Sequence, residues 1–234
     1  MVEEPIISDV KVTAIIPAAG RGMRLGFAEP KQFIKLNKKP VLIYCLEVLD
    51  TVEEINEIII SLQPSEVDRV KKLIKQFKIK KVVDLVNGGK ERIDSVRNAF
   101  TRITSTDYVL VHDSVRPFIT NRIVKDVLMA GISHGAAISA IPVTDTVKLA
   151  DRDLIVKTLD RKGLWLAQTP QVFKYEVLAR AYKEYEKHPV EITDESGLVE
   201  LLGIKVKIVP GSIFNIKITK KEDMMLAQLI ARMP

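Results

Sequence analysis

Along this chain the spacing of apolar positions switches between two periods. Residues 11–16 form a short, nearly continuous apolar run, as expected of a strand buried on both faces, and a loop of small residues follows. Pro40 then opens an apolar-periodic stretch to about Leu49, and proline at a first helical position predicts a helix there. A second strand is predicted over 57–62. Over 65–77, Val67, Val70, Leu73, Ile74 and Phe77 share one face of a helix. The alternation continues with a strand over 81–86, a helix over 91–103, a strand over 108–111, a helix over 123–132 and a strand over 136–141. Such regular exchange predicts an α/β fold, three-layered and Rossmann-like, around a doubly wound, mostly parallel sheet.

The rhythm breaks after Pro142. Residues 143–165 are polar and short-periodic, with turn signals at Asp151-Arg152-Asp153 and Lys162-Gly163, and predict a β-hairpin excursion. Helical periodicity returns over 175–187 and 194–202. Strands over 205–209 and 214–218 precede a last helix over 220–231. With no internal repeat and no linker-like segment, residues 1–234 read as a single domain.

Composition narrows the function classes. Hydrophobic residues make up 47 % of the chain, ample for a core. The single cysteine, Cys45, sits in an apolar run, so it reads as a core thiol in a reducing compartment. The acidic start Met1-Val2-Glu3-Glu4-Pro5 lacks the pattern of a signal peptide, and no run approaches the ~20 apolar residues of a membrane span. A cytoplasmic protein with no membrane partner is expected. The formal charge is +6, but the lysines are scattered among acidic residues without interleaved aromatics, which favours a phosphorylated small substrate over nucleic acid.

The densest chemical signal is the loop after the first strand, Pro17-Ala18-Ala19-Gly20-Arg21-Gly22-Met23-Arg24. Small residues there let backbone N–H groups approach a phosphate or base, at the strand end where open α/β sheets bind ligands. It is not a P-loop, because no Gly-Lys-Ser/Thr follows. Nor is it a dinucleotide fingerprint: Leu25 stands where a third small residue is needed, and Ser61-Leu62-Gln63-Pro64 offers no acidic partner for a ribose.

This loop, with Pro30-Lys31-Gln32, resembles the signature of the sugar-nucleotide pyrophosphorylase superfamily, and within it most closely the 2-C-methyl-D-erythritol 4-phosphate cytidylyltransferase family. Four later segments agree in order: Gly88-Gly89-Lys90-Glu91-Arg92-Ile93-Asp94-Ser95-Val96, Val111-His112-Asp113-Ser114-Val115-Arg116-Pro117, Gln168-Thr169-Pro170-Gln171 and Asn215-Ile216-Lys217-Ile218-Thr219. The likeness runs over roughly residues 11–231. It implies attack by the phosphate of a polyol phosphate on the α-phosphorus of CTP, with release of pyrophosphate. Both reactants are polyanions, so cations and a metal ion are the tools required.

Carried over position by position, the resemblance implies that Arg24 and Lys31 stabilise the pentavalent α-phosphate. Asp113 would hold Mg²⁺, and Arg116 would lie near the nucleotide or anchor a strand end. Ala18, Ala19, Gly20, Gly89, Arg92, Ser95 and Ser114 would bind CTP, with backbone groups and the Ser95 hydroxyl reading the pyrimidine. Arg161 and Lys217, with Thr146 and Thr193, would grip the acceptor phosphate, although Thr193-Asp194 also reads as a helix N-cap. In the family, the region corresponding to 143–165 is an arm embracing a second subunit, so Arg161 is expected to act in the partner's site of a homodimer. Two rival readings are a ribitol 5-phosphate cytidylyltransferase and a non-catalytic nucleotide-binding regulator.

Overall fold

The structure, a computed structural model, describes residues 10–20 and 29–233. The first strand is β1 (Val12–Pro17); later in the chain come a 3₁₀ turn (Lys31–Phe33) and a small hairpin, β2 (Lys35–Leu36) and β3 (Lys39–Pro40). The chain continues through α1 (Val41–Thr51), β4 (Ile55–Leu62), α2 (Val67–Gln76), β5 (Val82–Asn87), α3 (Arg92–Phe100), β6 (Tyr108–Val111), α4 (Asn121–His134) and β7 (Ala136–Pro142). The predicted excursion is a separate two-stranded hairpin, β8 (Val147–Asp151) and β9 (Leu154–Leu159). After it come β10 (Trp165–Lys174), α5 (Tyr175–Lys187), α6 (Glu195–Glu200), β11 (Lys207–Pro210) and α7 (Lys221–Ile230).

Seven strands form one sheet in the order β11-β7-β10-β6-β1-β4-β5. All pairings are parallel except those of β10, which runs antiparallel between β6 and β7. Side chains of β1 alternate across the sheet: Val12, Ala14 and Ile16 join the core beneath α1, α2 and α4, while Ile15 joins the one beneath α3, α5 and α6. β4 divides Ile58 and Ile60 from Ile59 in the same way. Two-sided burial of the strands is what produces the continuous apolar runs of the sequence and the three layers of the fold.

Three expectations need correction. No strand was expected over 165–174, yet β10 lies in the middle of the sheet. Its polar stretch Gln168-Thr169-Pro170-Gln171 breaks the alternation, the pairing with β7 shifts register between Ala167 and Gln171, and the polar groups are satisfied by hydrogen bonds instead. Conversely, 214–218 is not a strand. Asn215 is buried and donates its side-chain amide to the Thr169 carbonyl at 2.9 Å, while Ile218 N–H donates to the Val115 carbonyl at 2.9 Å. The segment is stitched between β10 and the loop after β6 rather than laid into the sheet. Pro40, expected inside a helix, lies one residue before α1 and ends β3.

Candidate active site at the carboxyl ends of β1, β4, β5 and β6

The chain winds outward from β1 through β4 to β5, then returns to the other side of β1 with β6. Open sheets leave a crevice at such a reversal, outside the carboxyl ends of the strands. A crevice of about 1010 Å³ lies there, and the residues just beyond each strand line it: Ala19 and Gly20 after β1, Gln63 after β4, Gly88 and Gly89 after β5, and Asp113 after β6. Lys31, Lys90, Arg92, Ser95, Lys217 and Thr219 complete much of the wall. The volume is at the upper end of small-molecule sites, enough for a nucleotide and a second small reactant.

Close backbone approach explains the glycines. A Cβ on Gly88 would stand 2.0 Å from the Ala19 Cβ, and one on Gly89 would stand 2.1 Å from the Asp94 Cβ. Gly89 N–H donates to Ser95 Oγ at 3.0 Å, and that hydroxyl donates to the Glu91 carbonyl at 3.0 Å. Ser95 therefore shapes the turn into α3. Across the crevice two glutamines hold the loop after β1: Gln32 Nε2 donates to the Ala18 carbonyl at 2.6 Å, and Gln63 Nε2 to the Ala19 carbonyl at 2.8 Å.

Asp113 is the electrostatic centre. It is buried, and its Oδ1 accepts from Arg92 Nε at 2.8 Å. Its Oδ2 faces Lys217 Nζ at 2.9 Å and Arg116 Nε at 3.5 Å. Burial alone would push this carboxyl up, but Arg92, Lys217 and Arg116 outweigh it and hold the group well below the usual carboxylate range. Asp113 is thus an anion across the working pH range. Arg92 is itself gripped by Glu195, whose two carboxylate oxygens lie 2.9 and 2.8 Å from one guanidinium nitrogen. Burial disfavours the Arg92 charge, yet Glu195 and Asp113 more than compensate and raise the guanidinium above its ordinary value.

His112 packs behind Asp113. Burial lowers its imidazole to about 4, so it is neutral near pH 7. Nε2 lies 3.2 Å from the Arg116 carbonyl and therefore carries the proton, leaving Nδ1 to accept from the Thr169 hydroxyl at 3.1 Å. That hydroxyl also accepts from Asp113 N–H at 3.0 Å, so the network sets the peptide that carries the carboxylate.

Of the residues expected in the site, Ala19, Gly20, Lys31, Gly89, Arg92, Ser95, Asp113 and Lys217 line this one crevice. Arg24 lies outside the described residues. Ala18 sits just behind the wall, its N–H given to the Ser61 carbonyl at 2.7 Å and its own carbonyl to Gln32. Ser114 Oγ donates to the Pro17 carbonyl at 2.8 Å and ties β6 to β1. Arg116 anchors a strand end, donating to the Asn215 carbonyl at 2.7 Å, besides facing Asp113. Arg161 and Thr146 are exposed near the β8–β9 hairpin, where Arg161 donates to the Thr144 carbonyl, and neither lines the crevice of this chain. Thr193 is exposed, and it is Asp194 that caps α6, accepting from Gly197 N–H at 3.1 Å. Sequence reasoning missed Glu195 and the two glutamines. An acidic residue at a helix start is so ordinary that Glu195 carried no signal, whereas Gln32 stood inside a quoted motif.

Known proteins resemble this chain over almost its whole length. The family model described as 2-C-methyl-D-erythritol 4-phosphate cytidylyltransferase matches residues 12–233. A protein of that name from Syntrophus aciditrophicus is 44 % identical over 221 residues, covering 93 % of this chain and 94 % of its own. Another from Bacillus thuringiensis is 39 % identical over 216 residues, covering 92 % and 96 %. The crystal structure of a 4-diphosphocytidyl-2C-methyl-D-erythritol synthase from Anaerococcus prevotii superposes with a TM-score of 0.85 at 30 % identity, covering 96 % of this chain and 97 % of the other.

Proposed function

Since this chain belongs to the 2-C-methyl-D-erythritol 4-phosphate cytidylyltransferase family, we propose that the crevice beyond β1, β4, β5 and β6 is where its cytidylyl transfer takes place. The enzyme is a nucleotidyltransferase that joins a cytidylyl group to 2-C-methyl-D-erythritol 4-phosphate for isoprenoid synthesis. The cytidylyl donor is CTP, and pyrophosphate leaves. The observation that carries the assignment is the convergence of Lys31, Arg92, Asp113 and Lys217, from four separate parts of the chain, on one glycine-walled crevice.

The acceptor phosphate is already ionised near neutral pH and needs no strong base to attack the α-phosphorus. The obstacle is repulsion between two polyanions, and fixed cations aimed at the developing charge lower that barrier. Lys31 supplies one such cation and Arg24 a second. Lys217 orients the acceptor phosphate. Gly88, Gly89 and Ala19, whose carbonyl is steadied by Gln63, form the base pocket.

Mg²⁺ fits this donor set. Among the described residues no group of three acidic, histidine or cysteine side chains gathers, whereas Asp113 presents one ionised carboxylate at the crevice wall. One carboxylate, with substrate oxygens and water, is an ordinary Mg²⁺ environment. Bound there, the ion would neutralise phosphate charge. Lys217, whose side chain is 35 % exposed, has the freedom to leave Oδ2 for the acceptor phosphate.

The β8–β9 hairpin is read as a dimer arm. It exposes Leu149, Leu154, Ile155 and Val156, and an isolated two-stranded hairpin is marginal in water. A second copy of the chain would cover it and receive Arg161 and Thr146 at its acceptor site. Thr193 remains a candidate contact from the same chain. The buried lone thiol suits a reducing compartment, and the cytoplasm is the assigned place of reaction.

The test measures pyrophosphate release from CTP with methylerythritol 4-phosphate and, separately, with ribitol 5-phosphate. Turnover is expected with the first and Mg²⁺. Turnover with ribitol 5-phosphate alone would overturn the acceptor, and equal rates with UTP, ATP or GTP would overturn the base pocket.

A further inference from the structure

We propose that Glu195 is a positioning residue for the transfer: acting through Arg92, it pins Asp113 Oδ1 and leaves Oδ2 as the exchangeable oxygen at the crevice. The inference rests on the placement of Asp113 in the reaction site.

Glu195 is fully buried at the first position of α6, and it meets Arg92, at the start of α3, across 103 residues of sequence. Both its oxygens bind the same guanidinium nitrogen, and the guanidinium Nε in turn binds Asp113 Oδ1 at 2.8 Å. The three groups form one chain from the protein interior to the crevice wall.

The far end of that chain is rigid. Asp194, one residue before Glu195, accepts from Gln171 Nε2 at 2.7 Å, and Ser196, one residue after it, gives its N–H to Gln171 Oε1 at 3.2 Å. Gln171 belongs to β10, in the middle of the sheet. Glu195 is therefore bracketed by two bonds to a central strand, and its carboxylate is a fixed point.

A buried ion pair is weak evidence for stability, because desolvation offsets the attraction. Its geometry is what this one offers. A guanidinium is a planar fork on a flexible stem. With one nitrogen held by Glu195, the fork presents Nε to Oδ1 and cannot swing to cover Oδ2. Oδ2 is then shared by Lys217 at 2.9 Å and Arg116 at 3.5 Å, and the lysine is the partner able to withdraw. Without Glu195, Arg92 is free to close over both carboxylate oxygens or turn its charge on the triphosphate.

Groups that orient a reacting or metal-binding carboxylate contribute roughly 10- to 100-fold to activity. Glu195→Gln, near in shape but uncharged, should lower kcat by that range with little change in KM for CTP, while the variant still melts cooperatively. In an Arg92→Lys background, adding Glu195→Gln should cause no further loss, because the two act as one unit. Full kcat in Glu195→Gln, or losses that multiply with those of Arg92→Lys, would overturn the proposal. If Glu195→Gln does not fold, Glu195→Asp is read by the same constants: its carboxylate is withdrawn by one methylene, so a fall in kcat at steady KM supports positioning and an unchanged kcat refutes it. Asp113→Asn separates the two levels. Wild-type turnover in Asp113→Asn would reject the site itself, whereas an inactive Asp113→Asn beside a fully active Glu195→Gln would reject the role of Glu195 alone.

Discussion

Lys31 stands on a 3₁₀ turn whose next two residues, Gln32 and Phe33, are buried, so the turn that carries its charge to the crevice is anchored just after it. Replacing it by alanine removes a cation that interacts most strongly with the pentavalent α-phosphate. Lys31→Ala should lower kcat by about 10²–10³, with a smaller effect on KM for CTP. A folded Lys31→Ala enzyme of near-normal turnover would remove Lys31 from the catalytic group. Cys45 gives the opposite expectation. Its side chain is inaccessible, and burial pushes the thiol up to about 12 from a reference of 9.0. The thiolate is the reactive form, so native protein should resist alkylation at about pH 8 and label only after guanidinium unfolding. Because the folded value is the raised one, the contribution of the neutral thiol to stability is complete below pH 9 and is lost as the pH climbs toward 12. Rapid alkylation of the native enzyme would contradict the burial.

Between elements, α4 packs tightly on β10. Gly131 lies on the buried face of α4, and a Cβ there would meet Val172 Cγ1 at 2.4 Å and Val172 Cβ at 2.8 Å. Two effects compete in Gly131→Ala. The helix gains about 1 kcal/mol from the better helix former, whereas forcing a methyl into a filled core costs about 1–3 kcal/mol. Since the backbone-near Cβ of Val172 cannot rotate away, overpacking should win, and urea midpoints should show a net loss. Gly131→Ala/Val172→Ala should recover part of it. A more stable single variant would mean that α4 and β10 have room to part.

For the whole molecule, the proposed role of the β8–β9 hairpin as a dimer arm bears on whether one chain is a complete enzyme. Its apolar positions point in both directions from a hairpin that packs little on its own domain, with Leu154 77 % and Ile155 65 % exposed. A dimer covering them is expected in sedimentation velocity. Ile155→Asp should shift the population toward monomer, and activity should fall with it as Arg161 leaves the partner's acceptor site. A fully active monomer would show that Arg161 is dispensable. The layered α/β fold was legible in the sequence because burial on both faces writes continuous apolar runs into strands and 3.6-residue stripes into helices. The site motifs were equally local: small residues where backbones approach closely, and the charge of Asp113 just beyond β6. The position of β10 was not legible, because its polar residues are satisfied chiefly by partners 23 to 57 residues away, which no window along the chain can contain. Nor was Glu195. Its significance lies in meeting Arg92 across 103 residues, and only the tertiary structure brings a carboxylate from α6 and a guanidinium from α3 together behind Asp113. Local periodicity and close-approach chemistry are properties of the sequence; the partner of a buried charge is a property of the fold.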